Sequence, residues 1–160
     1  MNWITLYERQ KQLDEYISAN HNLQTSDLID HKILALLVEV GELANETRCF
    51  KFWSSKAPSN KNVILEEYVD GLHFILSLGL DLGFRFSLEL GSEEYTQLEA
   101  FLSVYSSIER FRKELDNESY QQMFKEFLTL GETLGFNSEE IQKSYHKKNE
   151  VNFERQDQGY

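Results

Sequence analysis

The chain has 160 residues, with 27 Asp and Glu against 16 Lys and Arg, for a formal net charge of −11. Its length fits one domain, and 41% apolar with 13% aromatic residues supplies a core, which excludes wholesale disorder. The acidic balance excludes a partner held through a nucleic-acid backbone, because that affinity rests on clustered Lys and Arg; a phosphorylated small molecule stays open where divalent cations mask the repulsion.

One Pro and eight Gly are too little punctuation for strands joined by tight turns, so the reading is all-α. Trp3, Leu6, Leu13 and Ile17 fall at helical spacing and predict a first helix to about Ala19. The opening MNWITLYERQ has no apolar stretch of a secretory leader, and Cys49 stands alone, which fits a reducing, cytoplasmic setting. A second helix is expected from Ser26 or Asp30 to Cys49; its stretch Ile33–Ala44 is apolar nearly all round, as in a helix buried on most sides. Ser54–Asn60 reads as a loop. Ser59 or Asn60 caps a third helix reaching about Asp81, with Glu66, Glu67, Asp70, His73 and Asp81 too frequent for a membrane span. Ser92 with Glu93 and Glu94 predicts the start of a fourth, running to about Leu115. Asn117 caps a fifth ending at Gly135, and Ser138 opens a sixth that runs into a polar tail, 147–160. The expected architecture is a bundle of about six helices: a domain over 1–146, with the tail part of it.

Acidic residues three apart occur four times, Asp27/Asp30, Glu39/Glu42, Glu67/Asp70 and Glu154/Asp157, about what this composition gives by chance. Context separates two of them. Glu39 and Glu42 are the only ionisable residues between Lys32 and Glu46, and a three-residue step puts them on one face of the most apolar helix. Glu67 and Asp70 turn away from the stripe Leu65, Tyr68, Val69, Leu72 and Leu76, yet have Val63, Phe74 and Leu78 beside them. Carboxylates in apolar surroundings are costly unless neutralised. An all-oxygen set suits Mg²⁺ or Mn²⁺ and leaves positions for phosphate oxygens and water. Two other readings stay open: a solvated face salt-bridged to Lys or Arg, and a di-iron site, which needs two Glu-x-x-His units where this chain has only the loose Asp70-x-x-His73.

After the second helix comes Phe50-Lys51-Phe52-Trp53-Ser54-Ser55-Lys56. Trp53 can stack on a base while Lys51 or Lys56 balances phosphate charge, or serve as a staple, the reading preferred for Phe50 and Phe52. The tail reads in isolation as a frayed end, removable after Ser144. If its helix continues, Lys148, Asn152 and Arg155 share one face and can clamp phosphates.

Glu39-x-x-Glu42-x-x-Asn45, Phe50-Lys51-x-Trp53 and Glu67-x-x-Asp70 closely resemble the dimeric, all-α dUTP pyrophosphatases of the MazG-like superfamily. Lys148-Asn149-x-Val151-Asn152-x-x-Arg155-Gln156-Asp157-x-Gly159-Tyr160 resembles the C-terminal motif of that family. Gln10-Lys11-Gln12-Leu13-Asp14 resembles its N-terminal one, although Asp14 stands where the family carries Asn. The resemblance implies Mg²⁺ on Glu39, Glu42, Glu67 and Asp70, with Glu39 orienting water, and Gln10, Asp14 and Asn45 in the substrate site. It also implies Trp53 against the uracil, Lys51 or Lys56 near the phosphates, and Lys148, Asn152, Arg155 and Tyr160 closing over them. The implied protein is a homodimer that cleaves dUTP, and dUDP, to dUMP. Alternatives are a related enzyme preferring dCTP or a modified nucleotide, and a helical interaction module without turnover.

Overall fold

The computed structural model describes residues 1–23 and 28–160, so Ser26 and Asp27 lie outside the described residues. Six helices account for the regular structure, with no strand among the described residues: α1 (Trp3–His21), α2 (Ile29–Thr47), α3 (Lys61–Leu82), α4 (Gln97–Glu114), α5 (Asn117–Thr133) and α6 (Ser138–Asp157). α2 packs along α3, α4 along α5, and α1 and α6 close on α3 and on each other. The core is unusually rich in rings. Tyr68, Phe111, Tyr120, Phe124, Phe127 and Tyr145 are fully buried, and the tyrosines satisfy their hydroxyls inside it, Tyr120 donating to the Ile75 carbonyl and Tyr68 to that of Phe127. A Cβ at Gly131 would stand 2.5 Å from the Tyr68 hydroxyl, so glycine is what lets α5 lie this close to α3.

Boundaries depart from the sequence pattern where local capping decides them. α4 begins at Gln97, five residues later than Ser92 suggests, because Thr96 and Glu99 form a reciprocal capping box. Glu93 instead receives the Lys125 ammonium at 3.0 Å. Asp116, not Asn117, caps α5. α2 stops at Thr47, where Arg48 turns left-handed with φ 59°, short of Cys49, while α1 runs on to His21 and α3 to Leu82. The tail is not frayed. α6 passes through residue 147 without a break to Asp157, anchored by buried Tyr145 and Asn149.

Candidate active site

α2 and α3 bring the acidic pairs together. Carboxylate oxygens of Glu39, Glu67 and Asp70 lie within 4.8 Å of one another. Glu42 stands just outside this trio, but its charge raises the pKa of both Glu39 and Glu67. Glu39 is pushed to about 7, first by burial and then by Asp70, Glu42 and Glu67. Burial also raises Asp70, against the Lys148 ammonium, which sits 2.8 Å from Asp70 Oδ2 and 3.1 Å from Glu66 Oε1. An oxygen-only set of crowded, half-buried carboxylates with one lysine among them fits a hard divalent cation such as Mg²⁺ or Mn²⁺. It does not fit the di-iron alternative: His73 is not among the clustered donors.

The trio stands between two hollows. Glu39 and Asp70 form part of a cavity of about 900 Å³, while Glu67 lines a smaller one of about 560 Å³ with Glu42, Asn45 and Glu46. Gln10, Asp14, Asn152, Arg155 and Tyr160 all line the larger cavity, so α1, α3 and the end of α6 build one site from residues far apart in sequence.

His73, Phe74, Ser77, Lys32 and Asp81 join them in that wall, and sequence reasoning missed them as site residues. A signal existed: positions 70, 73, 74, 77 and 81 follow helical spacing from Asp70 along one face of α3. His73 and Ser77 join Gln10, Asp14 and Tyr145 in a polar network, while Lys32 pairs with Asp81. Gln10 Oε1 accepts from Tyr145 at 2.8 Å and pairs with His73 Nδ1 at 2.7 Å. Gln10 Nε2 donates to Asp14 Oδ1 at 2.9 Å, and Ser77 donates to Asp14 Oδ2 at 2.7 Å. Asp14 therefore uses both oxygens within the protein, and burial raises its pKa. With Gln10 held by these donors and by Asp14, His73 carries its proton on Nδ1, leaving Nε2 a buried acceptor without a hydrogen-bond partner among the described residues. Burial lowers its pKa to about 3, so the ring is neutral.

The aromatic loop lies elsewhere. Lys51, Trp53 and Lys56 line neither hollow, and Trp53 is 64% exposed. Phe50 and Phe52 are not staples: Phe52 is 94% exposed, and both rings pack edge-on against Trp53 instead of entering the core. Arg48 explains this, because its guanidinium holds Ser54 Oγ and the Lys56 carbonyl and folds the loop on itself. Lys51 donates to Asn45 Oδ1 at 2.5 Å.

A family model described as dUTPase matches residues 2–160. No curated protein matches the chain.

Proposed function

Because the chain belongs to the dUTPase family, whose activity is dUTP hydrolysis, we propose that it cleaves dUTP to dUMP and pyrophosphate, and dUDP to dUMP and phosphate, by attack of water on the α-phosphorus. The observation that carries this is one cavity lined at once by Glu39 and Asp70, by Gln10 and His73, and by Asn152, Arg155 and Tyr160. Mg²⁺ (or Mn²⁺) held by Glu39, Glu42, Glu67 and Asp70 would polarise the α-phosphate and activate water. Glu39 accepts a hydrogen bond from that water and orients it. The free acceptor His73 Nε2 suits the N3–H of uracil, which cytosine lacks, and this favours dUTP over dCTP. Gln10 and Asp14 hold that ring in register. Asn152, Arg155 and Tyr160 bind the distal phosphates that leave, with Lys148 adding positive charge; Lys51 and Lys56 lie outside this cavity and, like Trp53, reach it only if their loop moves or comes from the partner.

No helix among the described residues is long and apolar enough to cross a membrane, and the reaction proposed belongs to a cytoplasmic nucleotide pool. The partner is a second copy of the chain. Trp53 stands outside its own chain's cavity, so stacking on uracil calls for the loop to move or for the partner's loop to deliver it.

A panel of dUTP, dUDP, dCTP and dTTP, run with and without Mg²⁺ in oxygen-18 water, tests the reading. Cation-dependent cleavage of dUTP and, more slowly, of dUDP is expected, with the label in dUMP. Label in pyrophosphate, or free phosphate as the first product from dUTP, overturns the bond assignment; equal turnover of dCTP overturns the base assignment.

A further inference from the structure

Lys148 reaches the carboxylate cluster from α6, and it is the one basic side chain that pairs with Glu39, Glu67 or Asp70 among the described residues. Its side chain is 10% exposed and Asp70's is 18%. A lysine this enclosed keeps its charge because Asp70 and Glu66 are both within contact distance. The ammonium at 2.8 Å holds an oxygen that a divalent cation would also draw on, and two positive charges that close to one carboxylate repel.

We propose that Lys148 is a built-in counter-ion that holds the cluster together in the cation-free protein and is displaced when a divalent cation binds, which frees its ammonium for the substrate's phosphates. This rests on the metal reading above and adds to it an exchange between two positive charges at Asp70. The chain keeps the carboxylates partly neutralised at all times: by Lys148 before loading, by the cation afterwards. Because α6 also carries Asn152 and Arg155, releasing Lys148 from α3 lets the phosphate-facing stretch of this helix respond to loading. Cation and nucleotide must then favour each other's binding, by the same factor in either direction.

The test is Mn²⁺ affinity measured by electron paramagnetic resonance without nucleotide, on wild type, Lys148→Met and Lys148→Arg, each checked for a cooperative thermal melt. Removing the charge should tighten Mn²⁺ roughly tenfold, from the loss of one positive charge a few ångströms from the ion; Lys148→Arg, which keeps the charge, should stay near wild type. A non-hydrolysable α,β-imido analogue of dUDP should tighten Mn²⁺ in wild type and do so less in Lys148→Met. In the wild-type protein, the Lys148 side-chain NMR signals, assigned by their loss in Lys148→Arg, should move on adding Mg²⁺ alone. Unchanged or weaker Mn²⁺ binding in a folded Lys148→Met protein, or Lys148 signals that stay put at saturating Mg²⁺, overturns the exchange and leaves the metal reading standing. Absence of any Mn²⁺ binding in all three proteins overturns both.

Discussion

Glu39 sits on a helix whose neighbours are almost all apolar, with three other acids nearby, and the cost appears as a carboxyl that ionises near pH 7 rather than the ordinary 4.5. The folded chain therefore holds a proton there that the unfolded chain has already released between those values. Its stabilising effect is complete below about pH 4.5 and is lost as pH rises through about 7. Replacing Glu39 by Gln removes that loss. In EDTA, Glu39→Gln should melt higher than wild type at pH 8, and the difference should vanish toward pH 4.5. Added Mg²⁺ should raise the wild-type midpoint and leave the variant's largely unmoved, while dUTP turnover in the variant falls by orders of magnitude. A melting difference that is the same at both pH values would remove the basis for the raised pKa. That Glu39, Glu67 and Asp70 come together was legible at this scale, since only the Glu39/Glu42 and Glu67/Asp70 pairs sit in apolar helix surfaces; that Glu42 stands outside the trio was not. Lys148's occupation of that cluster was not: no spacing rule links residue 148 to residue 70, and only the packing of α6 on α3 does.

Helix α6 has two jobs, divided along its length. The stretch up to Asn149 anchors it to the core: Tyr145 is fully buried, stacks on His73 with ring centres 4.2 Å apart and donates to Gln10, while Asn149 is 1% exposed. Its last two turns line the cavity through Asn152 and Arg155, joined by Tyr160 just past its end. Truncation after Ser144 therefore does not spare the fold, because it deletes a buried aromatic whose loss alone typically costs about 3–5 kcal/mol. Ending the chain after Val151 should keep a cooperative melt and native-like circular dichroism, yet raise KM for dUTP at least tenfold through lost phosphate contacts worth about 1.5 kcal/mol or more. Unchanged kinetics after the shorter truncation would restrict the site to α1–α3. The same division explains what the sequence could and could not say about elements. Apolar periodicity identified six helices in order, but the polar face of α6 reads as a solvated tail unless one knows that α1 and α3 supply its partners. Capping placed starts within a few residues and missed α4, where Thr96-x-x-Glu99 outcompetes the earlier Ser92.

At the scale of the whole molecule, what is unaccounted for is an apolar surface. Leu34 and Val38 on α2 and Leu98 and Leu102 on α4 are large and exposed. The two pairs border one seam, since Tyr105, one turn beyond Leu102, donates to the Leu37 carbonyl and lies 3.2 Å from where a Cβ of Gly41 would be. Phe52 and Trp53, in the loop that follows α2, extend the exposed apolar area. Large exposed apolar side chains on both sides of one helix seam are what an interface would cover, and a second copy using the same face would make an isologous, two-fold contact. It would cover the stripe on α2 that continues through Gly41 and Asn45 to the smaller acidic hollow, so the interface would abut the carboxylates. Light scattering should give twice 18.9 kDa for the wild-type protein. Leu102→Glu, a charge placed on the seam with 62% of that residue already exposed, leaves the core untouched and should give single chains with an unchanged helical spectrum. If the partner's loop delivers Trp53 to the cavity, those single chains should also lose affinity for dUTP more than turnover at saturation, because the base loses its stacking face while the carboxylates stay in place. A wild-type mass of 18.9 kDa would show that the patch serves something other than self-association; a monomeric Leu102→Glu protein with wild-type KM would show that each cavity is complete within its own chain.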